Sequence, residues 1–474
     1  MSRVMPRLIV LSEELIPQVH TRFLGALATV GVRFDSPKGR TLLARAAGGH
    51  AGKGPVCLPA FHVMAKPTGA RCNLDCAYCF FLKKDRLYPG SDFRMSDEVL
   101  EAYVRQTLEG QTAPEVTIAW QGGEPTLMGL DFFRRAVEIE KKYAGAGRRV
   151  ANSFQTNGLL IDDAWCRFLR ENGFLVGLSL DGPRELHDVY RRDKGGRSVF
   201  DKVAGAARLM QKHGVEFNIL CTVNAVNSRR PLEVYRYFRD GLGARYIQFI
   251  PIVERDNDAG DQDGAAVTDR SVDPEQYGRF LTEIFDEWVR RDVGVVFVLF
   301  FDAVLASYFF GRSSLCVLRP TCGEALVLEH TGDLYACDHF VEPAFQLGNI
   351  LETPIAELVS SDRQRAFGRR KSETLPKTCR ECRFLFTCHG ECPKNRVLTS
   401  PDGEPGMNWL CAGLKAFFAH VDRPMTIMAD LLRQGRDAGG VMKIMAAEAP
   451  SRGAPGRAEA PAPRRGPRAR HRVR

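Results

Sequence analysis

From residue 61 onward the chain falls into short, almost wholly apolar runs separated by amphipathic stretches. The runs are FHVMAKP (61–67), VTIAW (116–120), VANSFQT (150–156), FLVGLSL (174–180), VEFNILCTV (215–223) and ARYIQFI (244–250). Their length suits strands, and their near-continuous apolarity suits strands buried on both faces, as in a parallel sheet. Between them lie segments with apolar positions at helical spacing. Residues 96–109 open at Ser96, an N-cap residue followed by acids, and residues 162–172 open at Asp162 and stop before Gly173. Residues 129–144, 200–213 and 231–240 complete the set. Six strands alternating with helices predict an α/β fold of parallel units, a partial (βα)6 TIM-like barrel open on one side. Reactive groups of such a barrel belong at the carboxyl ends of its strands.

The pattern continues with an amphipathic helix over 274–291 and the most apolar stretch of the chain, VGVVFVLFFDAVLASYFF (293–310). That stretch has the length of a membrane span, but Asp302 at its middle and its helical pattern predict a buried strand running into a helix. After about residue 310 the alternation stops and cysteines become dense through residue 411, which predicts a second, smaller domain organised by metal. The expected layout is an N-terminal extension (1–56), a barrel (57–309), a cysteine-rich domain (310–420), and a C-terminal helix with an Arg-rich tail (421–474).

Charge changes this picture little. The formal charge is +9, but residues 451–474 hold eight Arg and one Glu, so most of the excess sits in a tail too poor in apolar residues to pack. A nucleic-acid partner is therefore not expected. The N-terminus, MSRVMPRLIVLSEEL, has too short an apolar run before its acids for a secretory signal, so the expected compartment is the cytoplasm. There, fourteen cysteines point to metal or redox chemistry rather than disulfides.

Three of those cysteines, Cys72, Cys76 and Cys79, lie in CNLDCAYCF, directly after the first strand. Three thiolates on one loop can hold three irons of a [4Fe–4S] cube and leave the fourth iron open to a small molecule; three of four zinc ligands is the competing reading. After the second strand comes WQGGEPTLMG, residues 120–129, where Gly122 and Gly123 let the backbone approach a ligand and Glu124 can accept from an ammonium group. The third and fourth strands end in QTNG and SLDGP, which place Ser179 and Asp181 where ribose hydroxyls or a carboxylate can be contacted. A second cysteine string follows: Cys316, Cys322, Cys337, then Cys379, Cys382, Cys388 and Cys392, then Cys411. Eight cysteines fit two fully ligated four-iron clusters or two structural zincs, and the neighbouring open-iron motif favours iron–sulfur. Asp338, beside Cys337, is a candidate general base. Cys166 and Cys221 fall within a helix and a strand and read as core residues; Cys57 has no partner pattern.

Together these blocks resemble the radical S-adenosylmethionine superfamily, its members with a SPASM auxiliary-cluster domain, and among those the anaerobic sulfatase-maturating enzymes. FHVMAKPTGARCNLDCAYCFF, MSDEVLEAYV, WQGGEPTLMG, SFQTNGLLI, GLSLDGPRELHDVYR, FIPIVER and the cysteine string carry the resemblance, over about residues 58–420. It implies three [4Fe–4S] clusters: a catalytic one on Cys72, Cys76 and Cys79, a first auxiliary one on Cys316, Cys322, Cys337 and Cys392, and a second on Cys379, Cys382, Cys388 and Cys411. It also implies S-adenosylmethionine contacts at Tyr78, Gly123, Ser179, Arg191 and Ile252, a catalytic base at Asp338, and a substrate-peptide contact at Gln121. The family reaction oxidises a cysteine or serine in a C/S-x-P-x-R motif of an unfolded or nascent sulfatase to Cα-formylglycine. A 5′-deoxyadenosyl radical takes a hydrogen atom from Cβ, a base takes a proton, and an electron leaves. The electron donor is expected to be a flavodoxin or ferredoxin, with no membrane partner. Phe81 departs from the pattern, since many relatives are expected to carry tyrosine there. Two rival readings are a SPASM enzyme modifying another peptide, of the ribosomal natural-product type, and a non-catalytic metal scaffold. Residues 1–56 are short for the leader-binding domain that the first rival calls for, and the intact motifs argue against the second.

Overall fold

The computed structural model describes residues 61–145, 147–257 and 261–448. The N-terminal extension, Cys57 and the Arg-rich tail lie outside the described residues. Ten strands share one sheet: β1 (His62–Lys66), β2 (Glu115–Trp120), β3 (Arg149–Thr156), β4 (Phe174–Ser179), β5 (Glu216–Val223), β6 (Tyr246–Pro251), β7 (Phe297–Val298), β8 (Ala325–Glu329), β9 (Asp333–Tyr335) and β10 (Gln346–Asn349). Their order is β10-β9-β8-β1-β2-β3-β4-β5-β6-β7. All pairs from β8 to β7 are parallel, and β8–β9–β10 is an antiparallel meander.

The six apolar runs become β1 to β6, so the partial barrel is present, and it is longer than the alternation implied. β7 adds a short parallel strand at one edge. β8 adds another at the opposite edge, in register with β1 from His62↔Ala325 to Lys66↔Glu329. The cysteine-rich half thus continues the barrel sheet, and one apolar core runs from Phe61 and Val63 through Leu326 and Leu334 to Phe384 and Val441. A smaller cluster of Ala70, Phe81, Val327, Tyr335 and Val341 joins the first cysteine loop to the β8–β9 hairpin.

The helices follow local chemistry. Asp97–Glu109 starts where the Ser96 hydroxyl accepts from Val99 N, at 3.2 Å. Asp163–Glu171 starts where Asp162 accepts from Trp165 N, at 2.8 Å. Phe200–His213 ends at Gly214 in the left-handed region. The segment 293–310 is β7 followed by the helix Leu299–Phe310, as its pattern predicted. The helix Cys411–Arg433 packs on Pro274–Arg291 at Gly413, where a Cβ would stand 1.8 Å from the Pro274 carbonyl oxygen. Among the described residues no helix is long and apolar enough to cross a membrane.

Candidate active site

The loop after β1 carries Cys72, Cys76 and Cys79. Its backbone is tied to the segment beyond β4 by Asp75 N to the Arg192 carbonyl and Ala77 N to the Tyr190 carbonyl, each 3.0 Å. Cys79 N closes a turn on the Cys76 carbonyl at 2.9 Å. Asn157, just past β3, donates to Asn73 Oδ1 at 2.7 Å and reaches Cys72 Sγ at 3.7 Å. Burial pushes the Cys72 and Cys76 thiols up to about 12. They are therefore protonated near neutral pH, and metal binding here releases protons.

The GGEP turn after β2 is pressed onto that loop. Gly123 N donates to the Gly69 carbonyl at 2.7 Å and Glu124 N to the Arg71 carbonyl at 2.9 Å. A Cβ on Gly123 would lie 2.0 Å from the Arg71 oxygen, so only glycine fits. Gly122 has φ of +135°, a second position that favours glycine. Glu124 is buried, and its two oxygens accept from Thr126 N, Thr126 Oγ1, Thr156 Oγ1 and Asn157 N at 2.6–3.0 Å. Both oxygens are engaged by the protein itself, so Glu124 fastens the end of β2 to the end of β3.

Past β4, Asp181 gathers a buried network. Its Oδ2 accepts from Arg191 Nε at 2.8 Å and from the Tyr78 hydroxyl; its Oδ1 accepts from Thr222 N at 2.9 Å and Thr222 Oγ1 at 2.6 Å. Burial alone would raise the Asp181 carboxyl, but the Arg191 guanidinium, His187 and these hydrogen bonds outweigh it and hold the group below its ordinary value. Arg191 also stands over the Tyr78 ring, 5.4 Å from its centre. Ser179 is buried at the end of β4. Ile252, past β6, is fixed by its amide on the Val223 carbonyl at 2.8 Å. Sequence reasoning named Tyr78, Ser179, Asp181 and Arg191 and missed Thr222, which a polar residue near the end of an apolar strand signals.

Lys66, the last residue of β1, was missed as well. Its Nζ stands 2.6 Å from Asp338 Oδ1, donates to Gln121 Oε1 at 2.7 Å, and lies 3.9 Å from the centre of the Phe81 ring. Gln121 passes the chain on to Gln155 Oε1 at 2.7 Å. Burial would raise Asp338; the Lys66 ammonium, followed by His339, overrides it and holds the carboxylate below its usual range. The signal was in MAKP, a lysine closing a buried strand. Phe81 is thus the face on which this ammonium rests.

The second string separates in space into two sets. Cys316 opens a turn before β8, Cys322 precedes β8, Cys337 follows β9 and Cys392 ends the HGEC turn; Cys337 feels Cys392 and Cys316, and Cys322 feels Cys316. Cys379, Cys382 and Cys388 lie on short turns and Cys411 opens the last long helix; Cys379 feels Cys411 and Cys382, and Cys388 feels Cys411 and Cys379. The resemblance proposes Cys316, Cys322, Cys337 and Cys392 as one foursome and Cys379, Cys382, Cys388 and Cys411 as the other. His389, Gly390 and Glu391 between them all have positive φ, of 47°, 70° and 50°. All-cysteine sets of four, with three on the first loop, match the donor chemistry of iron–sulfur clusters.

Comparison with known proteins agrees. Residues 67–237 match the model of the radical SAM superfamily, and residues 319–383 that of an iron-sulfur cluster-binding domain. The chain is 45% identical over 396 residues to the serine-type anaerobic sulfatase-maturating enzyme of Bacteroides thetaiotaomicron, covering 81% of this chain and 95% of that protein. It is 36% identical over 370 residues to the cysteine-type enzyme of Clostridium perfringens, covering 77% of this chain and 96% of that one. Among solved structures, native anSMEcpe with bound AdoMet and Cp18Cys peptide superposes with a TM-score of 0.71 at 35% identity, covering 79% of this chain and 100% of that one. Streptococcus suis SuiB bound to precursor peptide SuiA matches at a TM-score of 0.54 and 16% identity, a likeness of fold alone. With a relative this similar over nearly its whole length, the chain belongs to the anaerobic sulfatase-maturating enzymes of the radical SAM superfamily.

Proposed function

We propose that this protein oxidises a cysteine or serine of an unfolded or nascent sulfatase, in a C/S-x-P-x-R motif, to Cα-formylglycine. The carrying observation is the cluster of Lys66, Asp338 and Gln121 at the ends of β1 and β2, between the first cysteine loop and Cys337. Cys72, Cys76 and Cys79 would hold one [4Fe–4S] cluster and the two foursomes one each. When bound, these clusters and S-adenosylmethionine supply the hydrogen-abstracting radical and an electron acceptor. The protein supplies position and proton transfer. Gly122 and Gly123 let the GGEP turn press onto the first cysteine loop, which brings its backbone to the aminoacyl end of the cofactor, while Tyr78, Ser179, Arg191 and Ile252 line the cofactor's path. Gln121 orients the peptide. Asp338, kept ionised by Lys66, takes the proton from the substrate hydroxyl or thiol. Fixing the target Cβ is what gives the radical its selectivity. The electron donor is a flavodoxin or ferredoxin, and the compartment the cytoplasm.

The test is anaerobic reconstitution with iron and sulfide, then dithionite, S-adenosylmethionine and two motif peptides, one with cysteine and one with serine. A peptide whose CH2–SH or CH2–OH has become CHO, matched by equal 5′-deoxyadenosine, is the expected result and names the substrate class. Abundant 5′-deoxyadenosine with both peptides unchanged would overturn the sulfatase reading in favour of another peptide.

A further inference from the structure

Two cations, buried Lys371 and half-buried Arg396, stand among the eight cysteines of the second string, and neither takes a carboxylate partner among the ion pairs of the described residues. Lys371 is 1% exposed. Its Nζ donates to the carbonyls of Cys316 and Val317, both at 2.8 Å, directly behind a member of the first foursome. Arg396 donates through Nη1 to the Lys371 carbonyl at 2.7 Å and the Thr374 hydroxyl at 3.3 Å. Its Nε reaches the Gly390 carbonyl and its Nη2 the His389 carbonyl, both at 3.1 Å. Those two carbonyls belong to the left-handed turn between Cys388 of the second foursome and Cys392 of the first. Arg396 therefore sits where the two sets meet, and Lys371 beside one of them.

Carbonyl oxygens solvate a cation but do not neutralise it, and an uncompensated buried charge is strongly unfavourable. Glu391 is the buried carboxylate of this region, and its Oε2 is taken by the amides of Asn395 and Asn408, at 2.8 and 2.7 Å. Amides solvate that carboxylate without neutralising it, so its single charge offsets one of the two cations, and the remaining source of negative charge is the cysteines themselves, as thiolates. Lys371 holds the backbone of Cys316 in the first set, while Arg396 holds the His389 and Gly390 carbonyls of the turn that links Cys388 of the second set to Cys392 of the first. Lys371 thus answers to the first foursome, and Arg396 to both.

We propose that Lys371 and Arg396 poise the auxiliary clusters for electron uptake, Lys371 acting on the cluster of Cys316, Cys322, Cys337 and Cys392 and Arg396 on both clusters. The proposal rests on the iron–sulfur reading of the two sets. A fixed positive charge favours the reduced, more negative cluster, and so makes it a better acceptor for the electron that substrate oxidation releases. Both are positioning residues that act through the cluster field.

The test is a redox titration followed by electron paramagnetic resonance, on the full chain with Cys72, Cys76 and Cys79 changed to alanine so that only the auxiliary clusters contribute. Lys371→Met is expected to lower one of the two midpoints by about tenfold in equilibrium constant, ~59 mV for a one-electron couple, and leave the other in place. Arg396→Gln is expected to lower both. Lys371→Arg and Arg396→Lys, which keep the charge, are expected to restore the potentials. Two unmoved midpoints at full iron content would overturn the inference and leave the cluster reading standing. Loss of iron in Lys371→Arg as well as Lys371→Met would overturn it in favour of a purely structural lysine. A parent protein without iron at the eight cysteines would remove the cluster reading itself.

Discussion

The barrel mouth and the cysteine-rich half hold their sulfur in opposite ways. At the mouth three cysteines share one short loop, and two cations around it are paired with carboxylates, Arg191 with Asp181 at 2.8 Å and Lys66 with Asp338 at 2.6 Å. In the other half eight cysteines are gathered from turns spread between Cys316 and Cys411, and buried Lys371 and half-buried Arg396 among them have only carbonyl and hydroxyl partners. On the proposed cluster reading, the first arrangement would leave one position open to a ligand, and the second would leave none and let the neighbouring cations act on electron affinity. That reading separates a site for making and breaking bonds from a relay for charge.

The sharpest way to break that contrast is to remove one cysteine from each region. Cys72→Ala is expected to abolish S-adenosylmethionine cleavage, read as 5′-deoxyadenosine. Cys411→Ala is expected to keep cleavage and lose aldehyde formation; loss of cleavage in a folded Cys411→Ala protein would show that the two regions are not separable. Next in size, Asp338→Asn removes the proton acceptor and is expected to slow peptide oxidation about 10²–10⁴-fold at unchanged iron content. Gly123→Ala forces its new Cβ against the Arg71 carbonyl. That overpacking is expected to cost about 1–3 kcal/mol in denaturant unfolding and to weaken S-adenosylmethionine binding measured by calorimetry. The smallest effect marks the barrel wall. Ser96→Ala removes the hydroxyl that accepts from Val99 N, a bond that touches neither cysteine set, and is expected to cost about 1 kcal/mol in denaturant unfolding, with turnover unchanged.

Much of this was legible in local pattern. The six apolar runs became β1 to β6 because each puts a buried face into the common core, and Ser96 and Asp162 open their helices because each accepts a backbone N–H that the helix leaves free. What escaped was non-local. β8 pairs with β1 across most of the chain, and no periodicity near residue 325 announces a partner near residue 62. Lys66 looked like the polar end of a strand, and its role becomes visible only when the turn after β9 brings Asp338 alongside. The left-handed run His389–Gly390–Glu391 was also hidden, since two of its three residues are ordinary L-amino acids held there by their surroundings. Spacing alone does not divide the eight cysteines, because Cys392 lies next in sequence to Cys388 yet stands near Cys337 in space.

The pairing of β1 with β8 also has a consequence in time. Lys66 meets Glu329 in register, about 260 residues later in the chain. At a synthesis rate of about 5–20 residues per second, the first strand emerges roughly 15–50 seconds before its outer neighbour exists. Until then the small cluster of Ala70, Phe81, Val327, Tyr335 and Val341 cannot close over the loop that carries Cys72, Cys76 and Cys79. Contacts this distant also slow folding itself. The loop is therefore at its most accessible to the machinery that delivers iron and sulfide while the ribosome is still at work, before the last third of the protein seals it.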